Sequence, residues 1–244
     1  MTTHTLEVWG DLACFTRPEM KVERFSYPII TPSAARGIFD AIYWDGRREK
    51  QGAEIVMRPY FHWQITRIEM LELPRYIALR RNEVKGRVPA LATLNKWIDG
   101  QTRRPFLADS DDETTGRTQR QTMALKNVRY RLTARIESKP GQDRAKLHAC
   151  FQRRARAGKC FQQPYFGCRE FPAFFEYLEN PAPAITAPFN QPLGFMLYDV
   201  FDLRKEVVKD KDKPFITLFD AHVRNGVLEV PAFGSDAVRK PERA

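Results

Sequence analysis

Residues 125–137, Leu-Lys-Asn-Val-Arg-Tyr-Arg-Leu-Thr-Ala-Arg-Ile-Glu, constrain the fold more than any other stretch. Val128, Tyr130, Leu132, Ala134 and Ile136 alternate with Asn127, Arg129, Arg131, Thr133 and Arg135. A period of two separates a strand into two faces. One face therefore packs on a core, and the other is a ladder of guanidinium groups. Lys126 stands at the start of this strand, in phase with the apolar face.

The ladder belongs to a wider concentration of charge. The 244 residues include 40 Lys+Arg and 30 Asp+Glu, a net charge of +10. Between Arg117 and Lys159 stand thirteen basic residues and only Glu137 and Asp143, so the whole excess lies in 43 consecutive residues. A focused positive field suits a polyanion, and nucleic acid is the usual one. A solvated basic face is the plain alternative. At 43% hydrophobic and 29% charged, the composition is that of a globular chain. It has no run of 18 apolar residues, which excludes a membrane-spanning helix, and no basic-then-apolar secretory signal at its start. Cys14, Cys150, Cys160 and Cys168 suit reduced thiols in a cytoplasmic protein. The separations of the last three match no common zinc spacing, so no metal and no cofactor is expected.

Residues 5–15 read as a strand with Leu6, Val8, Leu12 and Cys14 on one face. Thr31-Pro32 is a helix start, and residues 32–44 carry Ala34, Ala35, Ile38, Ala41 and Ile42 as an apolar stripe. Arg36 and Tyr43 lie seven apart, which places them on one face beside it. Within 53–70, alternation through Phe61, Trp63 and Ile65 shifts phase to Ile68 and Met70, which predicts a bulge near Thr66. Residues 71–116 read as an insertion holding a basic turn-like segment (80–85), an amphipathic piece (91–98) and an acidic run (109–113). Residues 143–158 predict a helix with Leu147, Cys150, Phe151 and Ala155 inward. Pro181, Pro183, Pro188 and Pro192 mark a boundary. Strands follow at 193–204, 215–223 and 227–231, with Asn225-Gly226 as a type I′ hairpin turn. Two domains result, residues 1–180 and a small antiparallel sheet over 193–235. The β-α-β-β-α-β order of the first is that of an α+β, ferredoxin-like (RRM-like) domain with a hairpin insertion, whose sheet commonly offers a face or edge to single-stranded RNA.

Five segments in order carry a resemblance: Tyr27-Pro-Ile-Ile-Thr-Pro-Ser-Ala-Ala-Arg-Gly37, Ala41-Ile-Tyr-Trp44, Arg81-Asn-Glu-Val84, Thr118-Gln-Arg-Gln-Thr-Met-Ala-Leu-Lys-Asn-Val-Arg-Tyr130 and Gln163-Pro-Tyr-Phe-Gly-Cys-Arg-Glu-Phe171. From about residue 4 to residue 235 the chain resembles the type I-C (Dvulg) branch of the fifth family of CRISPR-associated proteins, within the RAMP superfamily. The resemblance implies an endoribonuclease that cuts repeat RNA at the base of its stem-loop without a metal, leaving a 2′,3′-cyclic phosphate and a 5′-hydroxyl. It further implies that the protein stays on the 5′ handle of the mature guide RNA, beside the backbone and large subunits of a DNA-surveillance complex. Contact with target duplex DNA is left open.

The family's catalytic positions fall on Tyr43 and Lys126. Where some members carry His after the lysine, this chain has Asn127, which hydrogen-bonds a phosphate or ribose but does not exchange a proton as His does. The expectation is that Lys126 stabilises the phosphorane and Tyr43 positions or exchanges a proton. Without the resemblance, Tyr43 is a packing residue and Lys126 a snorkelling strand end. Of His4, His62, His148 and His222, only His148, on the basic helix, is a substitute base worth testing. Arg129, Arg131 and Arg135 are expected to bind phosphates, with Arg117 and Arg120 as a flexible basic approach and Arg36 as a further contact. Gly167 either lets the backbone approach a phosphate or only turns the chain. A catalytically silent, handle-binding subunit is the alternative that Asn127 keeps open.

Overall fold

The arginine strand is longer than its alternation indicates, running from Arg117 to Ser138. The computed structural model describes residues 2–20, 22–52, 54–85, 90–101, 116–209 and 211–241. Its strands are β1 (Thr3–Ala13), β2 (Arg24–Phe25), β3 (Gly46–Gln51), β4 (Glu54–Pro59), β5 (Phe61–Met70), β6 (Tyr76–Val84), β7 (Arg117–Ser138), β8 (Phe174–Leu178), β9 (Gln191–Asp199), β10 (Val208–Lys209), β11 (Thr217–Arg224), β12 (Val227–Glu229) and β13 (Val238–Arg239). Its helices are α1 (Pro32–Ile42), α2 (Leu91–Ile98) and α3 (Arg144–Arg156).

The main sheet contains the order β5-β7-β1-β8, every neighbouring pair antiparallel. Helix α1 connects β1 towards β5, and α3 connects β7 to β8. Both pack on the face that carries Leu6, Val8, Tyr130, Leu132 and Ile136, all buried. The centre of this core is Trp63. Its ring lies 4.9 Å from Phe39 of α1 and 4.6 Å from Phe151 of α3, and its indole N–H donates to the Tyr43 carbonyl at 3.0 Å. A buried tryptophan with its one donor satisfied adds apolar area without a desolvation penalty.

Local chemistry sets the helix ends. The Thr31 hydroxyl accepts from the Ala34 N–H at 3.2 Å, and Pro32 takes the first helical position. The helix stops at Ile42, and Tyr43 is extended (φ −151°). The expected shared face of Arg36 and Tyr43 therefore does not form. In β5 the register shifts between Ile65 and Arg67, with the Thr66 hydroxyl donating to the Thr133 carbonyl at 3.1 Å. That is the bulge near Thr66.

Two expectations are corrected. Residues 80–84 are not a turn but part of β6, which pairs with residues 117–125 of β7 as a ribbon leaving the sheet, with α2 in the segment between them. Neither face of that ribbon is fully buried, so no core imposes alternation on it. β12 pairs with β5 (Leu228↔Ile68), which joins β9, β11, β12 and β13 to the main sheet. Lys209, read as part of a charged turn, lies in β10 against Val56. The turn at Asn225 (φ 47°) and Gly226 (φ 74°) has the two left-handed residues of type I′. The acidic run at 109–113 lies outside the described residues. Among the described residues no helix is long and apolar enough to cross a membrane.

His4 is buried between β1 and α3, where its ring bonds His148 at 2.7 Å and the Tyr177 hydroxyl at 3.2 Å. Burial, then the charge of His148, lowers its pKa from 6.5 to about 4. The fold thus refuses a proton that the unfolded chain takes below 6.5. This contribution to stability is intact above pH 6.5 and is lost as the pH falls towards 4. His4→Phe lacks this titration, so the parent's melting temperature should decline relative to that of His4→Phe across this window, as measured by scanning calorimetry.

Candidate functional site

Lys126 and Asn127 break the alternation of β7. Asn127 has φ 52°, the left-handed region that asparagine tolerates better than most residues. The pairing with β1 passes from Gly10↔Val128 to Leu12↔Lys126, and Leu125 and Val128 are buried on either side of the kink. Both Lys126 and Asn127 consequently point to solvent. Lys126 is not in phase with the apolar face, because one left-handed residue turns it out. The Lys126 N–H is held by the Arg75 carbonyl at 2.9 Å.

An open cleft of about 370 Å³ lies here, lined by Trp9, Asp11, Glu72, Arg75, Asn127 and Arg129 together with Gly10 and Val128. It combines two guanidinium groups, two carboxylates, an amide and an indole. No histidine lines it. His148, the expected substitute base, is bound to His4 under α3.

The polar face of the sheet is built in rows across the strands. One row is Phe174·Trp9·Arg129, and the next is Glu176·Glu7·Arg131·Glu69. Glu7 lies between two arginines. It accepts from Arg129 Nε at 2.7 Å and faces Arg131 at 3.5 Å. Arg131 also donates to the Ala182 carbonyl of the proline-rich segment at 2.6 Å, and its side chain is only 14% exposed. Arg135 pairs with Glu137 at 2.5 Å. The ladder is real, but acids from β1 and from β7 itself answer it. Arg129, although it too is paired with Glu7, is the most exposed of the three, with half of its side chain reaching solvent.

The other expected contacts are placed elsewhere. Arg117 and Arg120 are not a flexible approach: they lie in β7 opposite β6, and Arg120 pairs with Glu83 at 3.1 Å. Arg36 is not a surface charge. It grips Asp199 through two hydrogen bonds, at 2.6 and 3.1 Å, and also binds Asp40. Tyr43 stacks on Phe61 with ring centroids 5.3 Å apart, and its hydroxyl donates to Asp45 at 3.3 Å. It is 6% exposed, and burial, then the Asp45 carboxylate, raises its pKa. Phe61 pairs with Ser138, twelve residues along β7 from Lys126, roughly 40 Å of strand. The structure therefore does not bring Tyr43 and Lys126 together.

Gly167 has φ 79°, and a Cβ there would overlap the Cys14 carbonyl oxygen. Close chain packing accounts for this glycine: Cys14 N–H donates to the Phe166 carbonyl at 3.0 Å, locking the 163–171 loop to the end of β1. Gly167→Ala should cost about 2 kcal/mol or more in chemical denaturation, from the positive φ and the overlap together.

Sequence reasoning missed Trp9, Asp11, Glu72, Arg75 and Phe174. Trp9 did carry a signal, since it is out of phase with Leu6 and Val8 and so shares the polar face with Glu7. Phe174 becomes visible only once β8 is paired with β1.

Residues 4–231 match the family model described as CRISPR-associated protein (Cas_Cas5). The chain is 38% identical over 249 residues to the CRISPR pre-crRNA endoribonuclease Cas5d of Mannheimia succiniciproducens, covering 96% of this chain and 97% of that protein. It is 35% identical over 245 residues to the protein of the same name from Thermus thermophilus, covering 93% and 90%. A solved structure entitled "Crystal Structure of CRISPR-associated Protein" shares the fold, with a TM-score of 0.62 at 18% identity over 98% of this chain and 96% of that one.

Proposed function

Because the chain belongs to the Cas5 family of CRISPR-associated proteins, we propose that it is an endoribonuclease that cuts CRISPR repeat RNA at the base of its stem-loop. It then holds the 5′ handle as a subunit of a surveillance complex. The order β5-β7-β1-β8 with two helices on one face is read as the ferredoxin-like arrangement over residues 1–180, with 193–235 as an added β unit.

The observation that carries the assignment of the site is the left-handed kink that leaves Lys126 and Asn127 both exposed, with Asn127 lining the cleft. In the proposed reaction the 2′-hydroxyl before the scissile bond attacks the phosphorus, forming the 2′,3′-cyclic phosphate and expelling the 5′ oxygen. Lys126 Nζ offsets the charge gathering on the phosphorane, and the Asn127 amide fixes a phosphate or ribose oxygen. Asp11 or Glu72 accepts the 2′-hydroxyl proton that Asn127 cannot, and water returns a proton to the departing 5′ oxygen, leaving a 5′-hydroxyl. The test is incubation with repeat RNA in EDTA. A single cut with a cyclic-phosphate end supports the reading. Tight binding without a cut supports the silent-subunit alternative that Asn127 keeps open.

Salt dependence separates open from occupied arginines. Five neutralised phosphates would give a slope of log affinity against log salt near −3.5 for single-stranded RNA. Arg131, Arg135 and Arg120 face carboxylates and are at most about a third exposed, whereas Arg129, although paired with Glu7, is half exposed and is counted with Arg75 of the cleft and the exposed Lys126. The expected slope is about −2. A slope of −3.5 in a filter-binding titration would mean that RNA displaces the internal acids.

A further inference from the structure

Phe174 is the unusual member of the polar face. It is 51% exposed on the edge strand β8, directly opposite Trp9 of β1. The two rings lie 6.3 Å apart and 27° from parallel. On the far side of Trp9, the Arg129 guanidinium lies 5.7 Å from the indole ring. Three strands thus place two aromatic rings and a flat cation in one row. Glu7 holds Arg129 at 2.7 Å, which orders the cation before any ligand arrives.

The surroundings decide which ligand fits. The proline-rich segment closes the neighbouring row through Ala182 on Arg131, and it is itself tied to the sheet by the Ala187 N–H on the Met70 carbonyl at 2.8 Å. In the aromatic row Phe174 is half exposed and Trp9 partly exposed, and Trp9 and Arg129 line the cleft that also holds Arg75 and Asn127. A flat, uncharged π-face with cations at one side suits a group that is planar and joined to an anion. An unpaired nucleobase on its phosphate backbone has that character.

We propose that Trp9 and Phe174, with Arg129 at the edge, form a stacking platform for one unpaired RNA base next to the cleft. The proposal rests on the RNA-processing reading above and adds a binding subsite to it. The platform holds the nucleotide by its face rather than its edges, so it anchors the strand without choosing the base.

The experiment compares a short single-stranded RNA with a fully abasic RNA of the same length, which keeps every phosphate and loses every stacking surface. The parent should bind the first more tightly by about 5- to 100-fold. Phe174→Leu keeps apolar bulk at a half-exposed position and should lose most of that preference, with an unchanged melting temperature and an unchanged salt slope. Phe174→Tyr should retain it, and Trp9→Leu should behave as Phe174→Leu does. Phe174→Leu and Trp9→Leu proteins that keep the parent's preference would overturn the platform while leaving the RNA-processing reading intact. A parent that binds neither RNA would overturn both.

Discussion

Lys126→Ala should slow cutting of repeat RNA by about 10²- to 10³-fold, while binding of the RNA falls by no more than one phosphate contact. The asymmetry follows from the kink at Asn127. Because Lys126 is exposed and adjoins Asn127 of the cleft in sequence, it is proposed to meet charge that exists only when the phosphorane forms. An interaction made in the transition state and absent in the bound substrate lowers the rate without an equal loss of affinity. Single-turnover cleavage with saturating protein isolates that step. Lys126→Arg should recover part of the rate, since charge is restored with altered geometry. Tyr43→Phe is the discriminating control. Its hydroxyl serves Asp45 at the other end of β7, so the rate should stay near the parent's. A large loss in Tyr43→Phe with parent-like cutting by Lys126→Ala would move the chemistry to that end of the strand.

What the sequence made legible was whatever a single segment decides. The alternation of β7, the Thr66 bulge, the extent of the amphipathic piece at 91–98 and the Asn225-Gly226 turn each depend on a few neighbouring residues, and each is found in the fold. The polar face of the sheet depends on three strands at once. Along the chain, thirteen basic residues against two acids suggested an open cationic face. In the sheet, Glu7 arrives from more than a hundred residues upstream and takes up two of the arginines. Local charge density therefore overstated the surface available to phosphate. The motif segments identified the family, but they carry no distances. Tyr43 and Lys126 looked like partners because they share a family role, and pairing of β5 with β7 sets them far apart. Asn127 shows the reverse case. Read as a replaced histidine, it is a loss; its backbone conformation shows that this residue also turns Lys126 outward.

Asp199→Ala should lower stability by about 3–5 kcal/mol, roughly 10 °C or more in melting temperature for a chain of this size. Arg36 and Asp199 keep side-chain exposures of 12% and 2%, and their two-point contact links α1 to the end of β9, across the expected boundary between N- and C-terminal units. Burial opposes the guanidinium's charge, and Asp199 with Asp40 outweighs it, so the pKa of Arg36 is raised. Asp199 also accepts the N–H groups of Val200 and Phe201 at 2.7 and 2.9 Å, which fixes the chain as it leaves β9. Alanine removes both functions and leaves a buried cation with Asp40 alone. Burial has already pushed Asp40 up to about 6 against the pull of Arg36, with Asp199 adding to the rise. Removing Asp199 should bring Asp40 back towards ordinary carboxylate values. Asp199→Asn keeps an acceptor for the two backbone groups and loses only the charge, so its cost should be the smaller of the two. Calorimetric melting of the two variants beside the parent separates the parts. Equal losses would assign the stability to the charge, and a parent-like Asp199→Asn would assign it to the backbone acceptor.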